Sequence, residues 1–96
     1  IHRATLKSEA AKETVLTNIF SGRPARGIVN RLIREIGPVN SDTPEFPLAA
    51  AAVTSLRKKA EAMGSGDFSP LWCGQNAGHC REIPAAALTK LLAAEL

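Results

Sequence analysis

Aromatic residues, cysteines and long apolar runs are all scarce in this sequence. Aromatic residues make up 4% of the chain and tyrosine is absent, which removes most of the stacking side chains that nucleic-acid-binding modules use. Two cysteines are too few for a disulfide scaffold. There is no run of about twenty apolar residues of the kind that spans a membrane. These absences exclude a disulfide-rich module and give no support to a nucleic-acid or membrane function.

The apolar content is ordinary in amount but consists largely of alanine. Hydrophobic residues make up 45% of the 96 residues, which argues against a disordered chain. Alanine favours helix but buries little area, so a chain of this length, one domain at most, is expected to form only a thin core. We therefore expect its apolar faces to need a partner, either the remainder of a larger protein or a second copy.

The net charge of +3 is unevenly distributed. Residues 1–36 carry seven lysines and arginines against three glutamates, whereas the rest of the chain carries five bases against six acids. Without stacking aromatics or a recognition helix, this basic segment does not predict a nucleic-acid partner. The chain begins at Ile1 with no initiator methionine and shows no signal peptide. We therefore expect a cytoplasmic protein that has no membrane partner.

Hydrophobic periodicity predicts a mainly α chain with four or five helices and at most one short strand. Residues 1–12 are predicted to be the end of a helix, residues 13–23 an extended arm, and residues 24–96 a helical subdomain. The arm follows from the β-branched alternation over residues 13–20, which suits a strand or an extended segment. All 96 residues are assigned to a single unit.

Within the subdomain, the first helix is predicted to begin at Pro24, because a proline in the first helical turn costs no hydrogen bond. It is predicted to end at Gly37, before a turn-rich linker over residues 38–46. Its apolar positions fall at helical spacing and form one stripe. They are Ile28, Val29, Leu32, Ile33 and Ile36.

Three further helices are predicted over residues 47–63, 76–82 and 84–95, with Gly64 ending the first of them. The apolar residues expected on one face of the helix over 47–63 are Leu48, Ala52, Leu56 and Met63. Those expected to point inward from the last helix are Leu88, Leu91 and Leu92.

The histidines and cysteines do not form a metal or catalytic constellation in the sequence. Cys73, His79 and Cys80 are scattered candidates, and a structural zinc site needs four ligands in paired short spacings. Neighbouring residues on a helix point about 100° apart, so His79 and Cys80 do not make a nucleophile–base pair. We predict no metal site and no catalytic residue in this chain. We interpret both cysteines as small buried thiols.

Residues 21–27 (SGRPARG) form the first unusual stretch. A flexible turn containing Ser21, Gly22 and Arg23 leads to the predicted start of a helix, where free backbone N–H groups beside two arginines favour an anion. The structural interpretation is equally simple. Gly22 makes the turn, Pro24 begins the helix, and the arginines are solvated or ion-paired.

Residues 71–75 (LWCGQ) form the second unusual stretch. A large aromatic, a small residue and a glycine let backbone approach a flat partner, and Gln75 can both donate and accept hydrogen bonds there. In the structural interpretation, Trp72 anchors a small core and Gln75 caps the helix that follows.

Taken together, these stretches resemble the nitronate monooxygenases, formerly called 2-nitropropane dioxygenases. Residues 14–32 (TVLTNIFSGRPARGIVNRL) resemble the segment that follows the barrel in that family, and residues 67–75 (DFSPLWCGQ) resemble its later tryptophan–small–Gly–Gln element. Residues 1–3 resemble the helix after the last barrel strand. Residues 46–48 match the family before an alanine-rich helix. The order and spacing agree across nearly the whole chain.

The resemblance implies a flavoprotein: a TIM barrel that holds FMN at the C-terminal ends of its strands. Such an oxidoreductase oxidises alkyl nitronates with O2, giving a carbonyl compound and nitrite, and needs no metal. The chain would be its helical C-terminal subdomain, packed against the barrel portion that precedes it. The family's histidine base and phosphate-binding loops would lie in that portion, so the chain alone is expected to be catalytically inactive and to bind FMN weakly or not at all.

The resemblance also assigns cofactor-binding positions. Gly74 and Gln75 would pass near the flavin pocket, and Ser21, Gly22 and Arg23 would lie on its rim. Cys73, Asn76 and His79 depart from the small or apolar residues expected around this element. Two alternatives remain: a flavin-dependent enoyl or quinone reductase of the same superfamily, and a non-enzymatic helical module used for binding or self-association.

Overall fold

A computed structural model describes the whole chain, residues 1–96, as a mainly α structure with one two-stranded sheet. In chain order the helices and strands are α1 His2–Leu6, β1 Thr14–Thr17, β2 Ala25–Ile28, α2 Arg31–Ile36, α3 Leu48–Ala62 and α4 Ala85–Ala94, with single 3-10 turns at Glu9–Lys12 and Ala77–His79. The mainly α class predicted from the sequence is confirmed. The limit of one strand is wrong, because β1 has a partner.

β1 and β2 form an antiparallel hairpin in which Thr14 is opposite Ile28 and Thr17 is opposite Ala25. The prediction of a helix from Pro24 is therefore wrong over its first residues. The apolar spacing there fits a helix, but the backbone of β2 is hydrogen-bonded to neighbours on both sides. The Ile28 N–H, for example, donates to the Leu71 carbonyl at 2.9 Å. Tertiary pairing overrides a weak local preference here.

α2 begins only after Asn30, and this residue explains why. Its backbone is extended, and its side-chain oxygen accepts a hydrogen bond from the Ile33 N–H at 3.3 Å, as in a helix N-cap. Its amide group donates to the carbonyls of Gly66 at 2.9 Å and Ser69 at 2.8 Å. Asn30 therefore starts the helix and ties it to a distant loop. The helix ends at Ile36, before Gly37, as predicted.

The predicted continuous helix over residues 1–12 is wrong, because it is interrupted at Ser8. The Ser8 backbone is extended, and its hydroxyl donates to the Thr5 carbonyl at 2.7 Å. A serine side chain bonded to the preceding turn competes with helix continuation. The chain resumes as the 3-10 turn Glu9–Lys12, which buries Ala11.

α3 confirms the predicted helix and its end. The helix stops at Ala62, and Gly64 takes a left-handed backbone conformation with φ +79°. The buried face is a different one from that predicted: Ala49 and Ala60 are buried, whereas Leu48, Leu56 and Met63 are exposed. Two small residues therefore pack against the rest of the protein, and the larger apolar residues of this helix face solvent.

α4 confirms the predicted closing helix but not its inward face. None of its residues is buried, and Leu91 and Leu92 are 45% and 56% exposed. Leu88 is only half-buried. The expected helix over residues 76–82 is reduced to the single turn Ala77–His79. The chain beyond it is non-helical and leaves Cys80 exposed, so a buried thiol is the wrong prediction there.

The core is thin and lies around the hairpin. Fourteen of 96 residues are buried. One cluster comprises Ala11, Ile28, Leu71 and Ala77, and the other comprises Ile19, Phe20, Leu32 and Ile33. No helix is long and apolar enough to cross a lipid bilayer. The two clusters fix the hairpin and the loop around Trp72, which are the elements that carry the candidate site.

Candidate functional site

Residues 71–73 lie along the free edge of β2 as a short third strand. The Ile28 N–H donates to the Leu71 carbonyl at 2.9 Å, and the Cys73 N–H donates to the Arg26 carbonyl at 3.1 Å. Trp72 stands opposite Gly27 in an antiparallel bridge. These bonds join two stretches that are far apart in the sequence.

The direction of this third strand decides where the predicted cofactor-binding residues lie. Because it runs antiparallel to β2, it leaves the sheet beside Ala25, where β2 begins. The turn of the hairpin, which contains Ser21, Gly22 and Arg23, lies at that same end of the sheet. Gly74 and Gln75 follow directly after the third strand. The fold therefore brings both predicted groups of residues to one end of the sheet, here called the hairpin end.

An aromatic contact joins the two groups. The rings of Phe20 and Trp72 meet edge to face, with centroids 5.8 Å apart and an interplanar angle of 89°. Phe20 is buried in the core and Trp72 is 38% exposed. Trp72 thus packs against a core residue but belongs to neither buried cluster, and it presents part of its indole at the surface.

Gly22 is required by packing within the chain. Its φ is +94°, and a Cβ built on it would lie 2.4 Å from the Phe46 nitrogen and 2.7 Å from the Pro44 carbonyl oxygen. Another side chain would be strained by the backbone conformation and blocked by neighbouring backbone. The linker over residues 38–46 therefore packs onto the turn of the hairpin.

Arg23 lies over the Phe46 ring, with its guanidinium carbon 4.5 Å from the ring centroid. The Ser21 hydroxyl donates to the Arg23 carbonyl at 3.1 Å and braces the turn. Arg26 donates to the Thr14 hydroxyl at 2.9 Å. No helix begins at Pro24, so the proposed anion site at a helix N-terminus is wrong. The two arginines form no ion pair.

Gly74 and Gln75 are the most open part of the hairpin end. A Cβ built on Gly74 would have no atom within 4 Å, and both residues are exposed. Packing within this chain therefore gives no reason for glycine at this position. The Gln75 side chain caps no helix, because the turn that follows has Asn76 at its N-cap position and no side-chain cap bond. Its amide is free to pair with another molecule.

Two residues near this site were missed by the sequence analysis. His2 has its Nε2 atom 3.1 Å from the Trp72 carbonyl oxygen. Gly27, which the sequence shows only as part of a longer motif, supports the third strand. Neither contact has a local signal in the sequence, because each joins residues far apart in the chain.

The exposed groups at the hairpin end are of the kind that contact a ligand. No group of three histidine, cysteine, aspartate or glutamate side chains is close enough to hold a metal ion. Burial raises the pKa of the Cys73 thiol, which makes it a poorer nucleophile, although Arg26 acts in the opposite sense. What the site offers is an exposed amide, an open glycine backbone and the exposed part of the Trp72 indole.

The sequence model of the family described as nitronate monooxygenase matches residues 1–95. Because that match covers almost the whole chain, the chain belongs to the nitronate monooxygenase family, and the resemblance noted in the sequence is confirmed.

The relatives show that the chain corresponds to part of a longer protein. It is 40% identical over 96 residues to a nitronate monooxygenase from Pseudomonas aeruginosa, covering 99% of this chain and 27% of that protein. It is 30% identical over 88 residues to a probable nitronate monooxygenase from Staphylococcus saprophyticus, covering 92% of this chain and 25% of that protein. The chain thus spans about a quarter of the length of the curated relatives that it matches.

A solved structure shares the fold. The crystal structure of nitroalkane oxidase from Streptomyces ansochromogenes superimposes with a TM-score of 0.81 at 40% identity, covering 99% of this chain and 27% of that chain. The hairpin, the third strand and the helices described here therefore have a counterpart inside a larger enzyme.

Proposed function

We propose that this chain is the C-terminal region of a cytoplasmic, FMN-dependent nitronate monooxygenase that oxidises alkyl nitronates with O2 to a carbonyl compound and nitrite. The observation that carries the proposal is the family match over residues 1–95, combined with a length about a quarter of that of the relatives. On this proposal the chain is inactive alone. Its partner is a TIM barrel that supplies the base and the phosphate-binding loops.

The hairpin end fits one edge of a flavin. Gly74 leaves its backbone open to a flat partner, and Gln75 offers both a hydrogen-bond donor and an acceptor beside it. The space beside Gly22 is occupied by the chain's own backbone. Gly22, together with Ser21 and Arg23, would therefore form the rim of the flavin site and not a surface that contacts the flavin. Bound FMN supplies the electron transfer between substrate and oxygen. The residues of this chain would orient its ring and exclude water from that side.

The exposed apolar faces fit the same proposal. The outward residues of α3 and α4 include Leu48, Leu56, Leu91 and Leu92. Large apolar side chains exposed in this way are typical of a surface that another part of a protein covers. We propose that the barrel covers these faces in the complete enzyme.

A chimaera tests this function directly. The stretch of the Pseudomonas aeruginosa relative that aligns with this chain would be replaced by residues 1–96, which the 99% coverage of this chain makes possible. We expect the purified chimaera to carry FMN and to consume O2 while releasing nitrite from an alkyl nitronate. The Pseudomonas protein truncated to remove the same stretch is the control and should be inactive.

The outcome separates the alternatives. A folded chimaera that contains FMN but oxidises NAD(P)H and leaves nitronates unchanged would move the assignment to a reductase. A folded chimaera without flavin would contradict the role proposed for the hairpin end. Circular dichroism and gel filtration of the chimaera establish folding before either conclusion is drawn.

A further inference from the structure

Gly27 lies where β2 and the third strand come closest. It faces Trp72 in a pair flanked by two backbone hydrogen bonds, from Ile28 to Leu71 and from Cys73 to Arg26. An antiparallel pair flanked in this way is the non-hydrogen-bonded kind, in which the two Cα atoms approach to about 4.5 Å and the side chains crowd each other. Any side chain at position 27 would therefore lie against the third strand.

The space around Gly27 is filled by the third strand. Gly27 is buried, and a Cβ built on it would lie 3.2 Å from the Leu71 carbonyl oxygen, 3.6 Å from the Leu71 carbonyl carbon and 3.8 Å from Cε3 of Trp72. Its φ is not positive, unlike that of Gly22 or Gly64. The backbone conformation therefore does not demand glycine. Glycine is favoured instead by the closeness of residues 71–73, since the Leu71 carbonyl oxygen lies 3.2 Å from where a Cβ would be.

We infer that Gly27 is a positioning residue for the cofactor-binding turn: by lacking a side chain it lets residues 71–73 dock on β2 and so places Gly74 and Gln75 at the hairpin end. The inference rests on the proposed function, since it takes that turn to contact the flavin. A methyl group at position 27 meets the Leu71 backbone, which cannot move aside as a flexible side chain can. The Leu71 carbonyl would have to give way by a few tenths of an ångström, and we infer that the third strand and the turn that follows it move with it.

Two other contacts would transmit the shift. Trp72 is held at the edge of Phe20, and its carbonyl is paired with His2. Both contacts depend on the position of Trp72. Moving the third strand would therefore weaken the ring contact with Phe20 and the hydrogen bond with His2 together. A Cβ built on Gly74 would meet no atom within 4 Å, and the Gly74 carbonyl accepts only a local bond, from the Ala77 N–H at 3.3 Å.

The test uses the chimaera with the substitutions Gly27→Ala and Gly27→Val, and with Ala60→Gly as a matched control. Ala60 is buried in α3, a helix that makes no backbone hydrogen bond with β1, β2 or residues 71–73, and a glycine there weakens the helix through its lower helix propensity. Three quantities are measured for each protein: the melting temperature, the FMN dissociation constant, and hydrogen exchange of residues 70–76 by mass spectrometry.

We expect Gly27→Ala to raise the FMN dissociation constant by about tenfold, the equivalent of losing roughly one well-placed hydrogen bond, and Gly27→Val to raise it further. Exchange of residues 70–76 should accelerate in both variants. Ala60→Gly should lower the melting temperature comparably while leaving FMN affinity and exchange at residues 70–76 within about twofold of the parent, as expected for distant independent sites.

Two results would overturn the inference: unchanged exchange at residues 70–76 in Gly27→Ala, or an equal loss of FMN affinity in Ala60→Gly. Failure of the proposed function looks different, because the unsubstituted chimaera would then lack flavin or nitronate turnover. In that case the exchange measurement alone still decides whether Gly27 positions the third strand. If Gly27→Val does not fold, the comparison of Gly27→Ala with Ala60→Gly remains sufficient.

Discussion

The hairpin region and α4 are held in place by different forces. The hairpin region contains both buried clusters and is joined by long-range backbone bonds, such as that from the Leu32 N–H to the Asp67 carbonyl at 3.0 Å. α4 has no buried residue, and its hydrogen bonds are local, for example from the Thr89 hydroxyl to the Ala85 carbonyl. One region is a folded core, and the other is a helix whose only half-buried residue is Leu88.

The difference shows which part of the chain depends on a partner. A ten-residue helix is marginal in water by itself, even when it is rich in alanine. α4 therefore needs a surface to pack against, and the proposed barrel supplies one. The hairpin region can keep its arrangement from contacts inside the chain. The following substitutions test this contrast in the 96-residue chain.

The largest effect is expected for Ile28→Ala. Ile28 is fully buried among Ala11, Leu71 and Ala77, so the substitution leaves a cavity and should cost about 3 kcal/mol of unfolding free energy. Urea unfolding followed by circular dichroism measures it. The matched change in α4 is Leu92→Ala, which should cost about 0.5 kcal/mol or less because Leu92 is exposed. Similar losses of unfolding free energy in Ile28→Ala and Leu92→Ala would contradict the difference described between the hairpin region and α4.

The next effect is expected for Asn30→Ala. The substitution removes the cap of α2 and the amide that donates to the carbonyls of Gly66 and of the buried Ser69. We expect a loss of about 2 kcal/mol by the same unfolding measurement.

Asn30→Asp separates the two roles of Asn30, because aspartate caps a helix as well as asparagine does but has no amide to donate to the carbonyls of Gly66 and Ser69. It should be no more stable than Asn30→Ala, because its carboxylate faces two carbonyl oxygens. If Asn30→Asp retained full stability, the cap alone would explain the residue and the tertiary tie would be unimportant.

A smaller loss of stability is expected at acidic pH. Hydrogen bonds from Arg57 and from the buried Ser69 hydroxyl hold the pKa of Glu61 below its ordinary value of 4.5. A lowered folded-state pKa stabilises the fold above the unfolded pKa, and this contribution is lost as the pH falls through the folded value. The melting temperature should therefore drop below about pH 4.5, and the drop should be shallower in Glu61→Gln.

Glu82, the other glutamate whose pKa is lowered, provides the comparison. Lys7 and Arg3 lower its pKa, and both bases are exposed on α1 and the residue that follows it. Its protonation should release the chain between Cys80 and Pro84 with little change in global unfolding, because exposed ion pairs contribute little. Hydrogen exchange of residues 80–84 at acidic pH detects the release. A global destabilisation in Glu82→Gln equal to that in Glu61→Gln would contradict this assignment.

The smallest effect on stability is expected for Leu92→Ser, and it should be accompanied by a clear change in association. The exposed apolar face of α4 predicts self-association of the isolated chain. Replacing Leu92 should change the unfolding free energy by about 0.5 kcal/mol or less while shifting sedimentation towards the monomer. An unchanged distribution of species would show that this face does not drive association.

The parts predicted correctly are those with a strong local signal. The run from Pro47 to Gly64 contains consecutive helix formers between a proline and a glycine, and α3 follows it within a residue at each end. α4 was predicted for the same reason. The motif around Trp72 and the hairpin turn identified the family before any fold was known, because their order and spacing are specific.

The parts predicted wrongly depend on distant residues. Apolar positions 28, 32, 33 and 36 fit one helical stripe, yet Ile28 belongs to a strand because its backbone pairs with Thr14 and Leu71. The face that α3 buries could not be chosen from periodicity, since alanines occur on every side of the helix. The roles of Gly27 and His2 are visible only where the third strand lies against β2.

The sequence by itself determined the family, the two long helices and the turn at Gly64, because propensity, capping and motif order are properties of neighbouring residues. Only the tertiary structure decided that residues 25–28 form a strand, that the two predicted groups meet at the hairpin end, and that Gly22 is packed while Gly74 is open. The physical reason is that backbone hydrogen bonds and steric space are shared between segments far apart in the chain. Local preference is too weak to decide such sites when a distant strand can satisfy the same backbone groups.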